Sequence, residues 1–129
     1  MYEFDWKVRA ADTDFSGRVY TPAVLDYTVR AINQFMEDGG HSAYQLQDHE
    51  GIVYPVRAAE VEYLAPMATG DETTIALTHE TGETSVRFDA TGRRDGEDVF
   101  RATLTVVFVD TETGDAVSIP DHVREYLGQ

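Results

Sequence analysis

The sequence predicts an α+β fold in which an antiparallel sheet packs on one long helix, and three observations carry that prediction. In the stretch YEFDWKV the side chains of Tyr2, Phe4, Trp6 and Val8 fall on one face, the two-residue period of a half-buried strand. From 23 to 38 the apolar positions recur at helical spacing. Beyond residue 50 the chain consists of strand-like runs separated by turn signals. A helix followed by a run of strands indicates an antiparallel sheet wrapped on that helix.

The elements can be justified in order. Thr21 is the predicted N-cap and Pro22 the first helical residue, where the missing N–H costs nothing. Val24, Leu25, Thr28, Ala31, Ile32, Phe35 and Met36 form the helix's broad apolar face, which another element must cover. Gly39-Gly40 ends it, because glycine accepts the left-handed conformation beyond a C-cap, and His41 belongs to the same stop. A polar segment follows through Glu50. IVYPVRAAEVEYL, TTIALTHE, TSVRFDATGR and VFRATLTVVFVD then read as strands, with turns at TGD, TGE, RRDGED and TETGD. IPDHVREYL is a short terminal helix led by Pro120. Without a repeat, linker or low-complexity tract, residues 1–129 form one domain.

Composition narrows the function classes. The 129 residues suffice for a modest core, and 42% are hydrophobic, which argues for a globular chain. No apolar run approaches the roughly 18 residues of a membrane helix. The N-terminus lacks the pattern of a cleaved leader and reads as mature sequence. Having no cysteine, the chain has no disulfide, thiolate nucleophile or Cys-ligated metal, and a cytoplasmic location is expected. Acidic residues number 24 and basic residues 10, giving a net charge of −14, and Lys7 is the sole lysine. So negative a surface repels phosphates and disfavours nucleic acid or an anionic membrane as partner. The same balance suggests a halophilic protein, in whose salt-rich surroundings self-repulsion is screened.

The stretch ADTDFSGRVYTPA, residues 11–23, holds two aspartates two apart before the helix. D-x-D-x-S-G resembles a calcium loop, but the twelfth loop position, where such a loop needs a bidentate Glu, is Ala23, and a strand precedes it instead of a helix. A D-x-D phosphoryl-transfer nucleophile would follow a buried strand in a larger α/β domain. A phosphate-cradling G-x-x-x-x-G-K loop is absent. What remains is a carboxylate just before a helix N-terminus, whose free N–H groups and positive dipole end stabilise developing negative charge. An Asp there can act as nucleophile or as general base toward water. Gly17 lets the backbone turn tightly and approach a ligand closely. The alternative is an ordinary turn, in which Asp is common.

ADTDFSGRVYTPAVLDYTVRA resembles the signature of the 4-hydroxybenzoyl-CoA thioesterase family of hotdog-fold enzymes: a strand, D-x-D-x-x-G-x-V-[YFW] and the long helix. The likeness continues through GIVYPVRAAEVEYLAPMATGDETTI, close to the family's G-I-x-x-x-V and Y-x-x-P-x-x-x-G-D, and on to the Pro-led tail. It implies a hotdog fold, an antiparallel sheet wrapped around one long central helix, and association into homodimers or homotetramers with sites at the subunit interface. It also implies hydrolysis of an acyl-CoA thioester, with coenzyme A as part of the substrate and no retained cofactor or metal. The family's catalytic aspartate falls on Asp14, while Asp12 reads as a scaffold residue bonding loop amides. The N–H that polarises the thioester carbonyl falls at Thr21. Tyr20 matches an aromatic that lines the acyl pocket, with a core position as the alternative; Arg57 matches an arginine that meets coenzyme A or forms a structural ion pair.

Some features depart from the family. HETGETS stands where some members carry a basic cluster for the nucleotide, and Arg93-Arg94 lie further along, as substitutes or as solvated turn charges. Thr21 replaces a histidine or asparagine of several relatives. His49 reads as a surface residue, and His79 and His122 have no partner at metal-ligand spacing. A non-catalytic acyl-CoA-binding hotdog protein is the rival reading, and the retained Asp14 leans against it. A hydratase would want an Asp–His pair, and no His closely follows Asp14.

Overall fold

The computed structural model describes all 129 residues. Strand β1 (Tyr2–Lys7) is followed by a 3-10 turn over Ala10–Asp12 and by helix α1 (Thr21–Asp38). Helix α2 (Ala43–Glu50) and a two-residue strand β2 (Ile52–Val53) lead to β3 (Val56–Tyr63). The long strands β4 (Glu72–Thr81), β5 (Ser85–Arg94) and β6 (Glu97–Val107) come next, then β7 (Val109–Asp110) and helix α3 (Asp121–Leu127). Five strands form one antiparallel sheet in the order β1-β4-β5-β6-β3, while β2 and β7 pair separately.

Alternation explains the sheet's two faces. Val86, Phe88 and Ala90 of β5 and Phe100, Ala102, Leu104 and Val106 of β6 are buried, and the residues between them are more exposed. On α1 the residues Ala23, Val24, Thr28, Ala31, Ile32 and Met36 are buried at helical spacing and join the same core. Thr28 is tolerated there because its hydroxyl donates to the Val24 carbonyl at 2.8 Å, leaving no unsatisfied polar atom. The outer face carries ion pairs instead: Arg87 with Glu80 and Asp89, and Arg101 with Asp98 and Glu62.

The structure corrects the element reading in four places. Residues 43–50, read as a polar segment, form α2. Ser42 and Gln45 make a reciprocal capping box, Leu46 is buried, and Gly51 closes the helix in the left-handed region. Pro55 separates what read as one strand into β2 and β3, which serve different sheets. Helix α1 starts at Thr21, so Tyr20 occupies the cap position predicted for Thr21 and Pro22 is the second helical residue. The cause is that the Tyr20 N–H is committed to the Asp12 carbonyl at 2.8 Å, which holds Tyr20 extended in the loop. At the other end only Gly40 is left-handed; Gly39 is glycine because a Cβ there would meet the Tyr126 ring at 2.5 Å.

Candidate active site

Two carboxylates build the loop before α1, and they have different tasks. Asp12 Oδ2 accepts from the Arg9 N–H at 2.9 Å and from the Trp6 indole N–H at 3.2 Å. Trp6 is buried and stacks on Tyr27 of α1 with ring centroids 4.3 Å apart. Asp12 therefore ties the loop to the core. Burial first, and the Asp12 carboxylate second, push the Tyr27 hydroxyl above its ordinary value.

Asp14 opens a tight hairpin. Its N–H donates to the Arg18 carbonyl at 2.9 Å, and its carbonyl accepts from the Gly17 N–H at 3.0 Å. Phe15, Ser16 and Gly17 are thus a three-residue hairpin loop, closed by a Thr13–Val19 bridge, and Gly17 takes the left-handed position at φ +78°. A Cβ on Gly17 would meet no atom within 4 Å, so the backbone conformation alone demands glycine in this subunit. Asp14 Oδ1 accepts from both the Ser16 hydroxyl and, at 2.8 Å, the Ser16 N–H. The Ser16 hydroxyl above all, then its N–H, hold the Asp14 carboxyl below its usual range, and the Arg18 charge acts in the same direction. Asp14 is exposed and ionised at neutral pH, and its Oδ2 makes no hydrogen bond within the chain.

The helix start, Thr21, lies seven residues on. Tyr20 makes no side-chain cap, so no side chain satisfies the first N–H groups of α1. Val19 N–H donates to the Met67 carbonyl at 2.8 Å and Thr69 N–H to the Gly17 carbonyl at 3.3 Å, which docks the hairpin on the segment after β3. Between them Arg18, Val19 and the run from Tyr63 to Met67 line a shallow groove of about 280 Å³. The Tyr63 hydroxyl donates to the Thr21 carbonyl in the first turn of α1.

The structure brings Asp14, Gly17, Tyr20 and Thr21 together on this loop and helix start, and leaves Arg57 apart. Tyr20 is 57% exposed, which removes the core alternative for its ring. Arg57 is exposed on β3 with no carboxylate at ion-pair distance. It stands six residues before Tyr63, about 20 Å along an extended strand. Arg94, a conceivable phosphate contact, is instead spent inside the fold: it bonds the Pro66 carbonyl at 2.8 Å and Asp71 at 2.9 Å and so fixes the groove floor. His79 bonds the Leu127 carbonyl and His122 pairs with Glu50; no group of three or more His, Asp or Glu is arranged to hold a metal ion. Residue-by-residue reading missed Ser16, whose D-x-S spacing is the signal for a side chain tethered in a turn. It also missed the bond of the Tyr63 hydroxyl, which no local pattern connects to Thr21.

Comparison with known proteins gives a consistent picture. A family model described as the thioesterase-like superfamily matches residues 8–127. The chain is 29% identical over 107 residues to a 1,4-dihydroxy-2-naphthoyl-CoA hydrolase of Acaryochloris marina, covering 80% of this chain and 78% of that protein. It is 28% identical over 78 residues to a protein of the same name from Rippkaea orientalis, covering 60% and 56%. The matched stretches thus span little more than half of some of these relatives. Among solved structures, a 1,4-dihydroxy-2-naphthoyl-CoA thioesterase from Synechocystis superposes with a TM-score of 0.93 at 18% identity, covering 99% of this chain and 96% of that one. A gentisyl-coenzyme A thioesterase superposes at 0.87 with 21% identity, covering 97% and 98%. At such identities the superpositions speak for a shared fold.

Proposed function

Because the chain belongs to the thioesterase-like superfamily, we propose that it is an acyl-CoA thioesterase with Asp14 as its catalytic carboxylate. The observation that carries this reading is the Asp14 side chain itself: ionised, tethered by Ser16 through one oxygen and free at the other, on the loop that runs into the start of α1. As general base, that oxygen takes a proton from water as the water attacks the thioester carbonyl. As nucleophile, it attacks the carbonyl directly and forms an anhydride that water then opens. In both routes the Thr21 N–H stabilises the oxyanion, and the thiolate of coenzyme A leaves and is protonated.

The relatives' names specify aromatic acyl groups, and Phe15, Tyr20 and Tyr63 expose aromatic surface around the site. An aromatic acyl-CoA is therefore the proposed substrate class. Two copies pair through β3, an edge strand whose residues are nearly all exposed and which presents Val56 and Tyr63 to solvent. Antiparallel pairing about the middle of β3 carries Arg57 of one copy toward the Tyr63 end of the other, where it can meet coenzyme A. The sheet curled on α1 supplies the frame for this arrangement.

Purified protein should release thiol from aryl-CoA substrates faster than from short alkyl-CoA substrates, read with a thiol reagent. No release from any thioester, with acyl-CoA binding retained, would establish the non-catalytic binding protein instead. The assay belongs in molar salt. With 24 acidic and 10 basic residues the excess of like charge opposes folding until it is screened. The melting temperature should rise from dilute buffer to molar KCl, and a flat or falling profile would rule out halophilic adaptation.

A further inference from the structure

We infer that Tyr63 is a positioning residue for the oxyanion-stabilising Thr21 N–H, an inference that rests on the thioesterase reading. The direction of that N–H is set by the peptide units on either side of Thr21. Upstream, the Tyr20 carbonyl accepts from the Ala23 N–H at 2.8 Å, which fixes the plane that contains the Thr21 N–H. Downstream, the Thr21 carbonyl accepts from the Tyr63 hydroxyl, and Pro22 locks the next φ at about −65°. No side-chain cap does this work, since Tyr20 stands where a Ser or Asp would normally cap. The bond from Tyr63 spans 42 residues and joins the last residue of β3 to the first of α1.

Tyr63 itself is well anchored. It pairs with Phe100 of β6, and the next two N–H groups, of Leu64 and Ala65, donate to the Val99 carbonyl at 3.0 and 3.2 Å. Its ring nevertheless remains 46% exposed on the groove beside Arg18. A rigid strand thus aims one hydroxyl at the helix start and leaves the ring face open to a substrate. Without the hydroxyl, the first turn of α1 loses its only side-chain tether from the sheet, and the donor drifts from where the oxyanion forms. Oxyanion donors act through placement, so a small displacement costs rate and leaves ground-state binding unchanged.

The test compares wild type, Tyr63→Phe and the control Tyr44→Phe, whose parent side chain is exposed on α2 away from the groove. Thiol release from an aryl-CoA is measured alongside thermal unfolding. Tyr63→Phe keeps the ring, so KM should stay within about twofold while kcat falls about tenfold, with little change in melting temperature. Tyr63→Leu should lose the same kcat and also raise KM, because the ring face is gone. Tyr44→Phe should match wild type. If wild type turns over and Tyr63→Phe has the same kcat, the positioning role is wrong and the thioesterase reading stands. A kcat loss that tracks a large drop in melting temperature would make Tyr63 merely structural. If wild type hydrolyses no thioester, both readings fall.

Discussion

Asp14→Asn is expected to reduce kcat for thioester hydrolysis by about 10²- to 10⁴-fold while leaving the fold intact. Asparagine matches aspartate in shape, and its Oδ1 can still accept from Ser16, so the hairpin that presents residue 14 persists. What disappears is the negative charge, and with it both the proton acceptor and the nucleophile. Thiol release by the variant within twofold of wild type would remove Asp14 from the mechanism. The pH dependence follows from the same contacts. The Asp14 carboxyl titrates below its ordinary value of 3.8, chiefly through the Ser16 hydroxyl, and in the proposed mechanism the ionised form is the competent one. For a group depressed on folding, the benefit is present above the unfolded value and is lost as pH falls through the folded one. kcat/KM should therefore be flat on the acid side of neutrality and fall only at strongly acidic pH. Ser16→Ala removes the hydroxyl and should move that limb to higher pH; an unmoved limb would assign it to another group.

The aspartate loop shows what this sequence disclosed about itself. Asp12 bonds a loop N–H, as its scaffold reading expected, and Gly17 adopts the left-handed turn that follows Asp14, whereas the choice of Asp14 as the catalyst came from the family resemblance and stands as a proposal. The alternating and helical periods placed β1 and α1, because their apolar faces are each buried in one core. The helix start shifted by one residue, since the Tyr20–Asp12 backbone bond, not the Thr21 side chain, decides where the cap falls. Helix α2 escaped notice because Leu46 is its one buried residue; the Ser42–Gln45 capping box was the better signal there. Tyr63 was visible as a motif residue, yet its partner lies 42 positions away, a distance only the sheet closes. Arg57 stayed unresolved for a related reason: in one subunit it faces solvent on β3 and meets no partner that would define a role.

Gly92→Ala should be the most damaging small substitution in the sheet. Gly92 is buried in β5 directly opposite Phe100 of β6, and a Cβ there would come within 2.0 Å of the Phe100 ring. Phe100 has no exposed surface and cannot swing out, so the ring or the strand must shift. Overpacking of this kind costs about 2–3 kcal/mol, or roughly 10 °C in melting temperature for a domain of this size. Phe100→Leu alone should also destabilise, by about 1 kcal/mol. Combined with Gly92→Ala it should recover part of the loss, because the smaller side chain makes room for the methyl. Strict additivity of the two would show that they do not share the strain. The consequence reaches the proposed active site as well. Phe100 packs edge-on against Trp6 at 6.5 Å between centroids, and Trp6 donates to Asp12, which holds the loop that ends in Asp14. A displaced Phe100 pushes on that chain of contacts, so Gly92→Ala should lower kcat even at temperatures where the variant remains folded. Full activity below its melting transition would show that Trp6 and Asp12 absorb the shift before it reaches the hairpin.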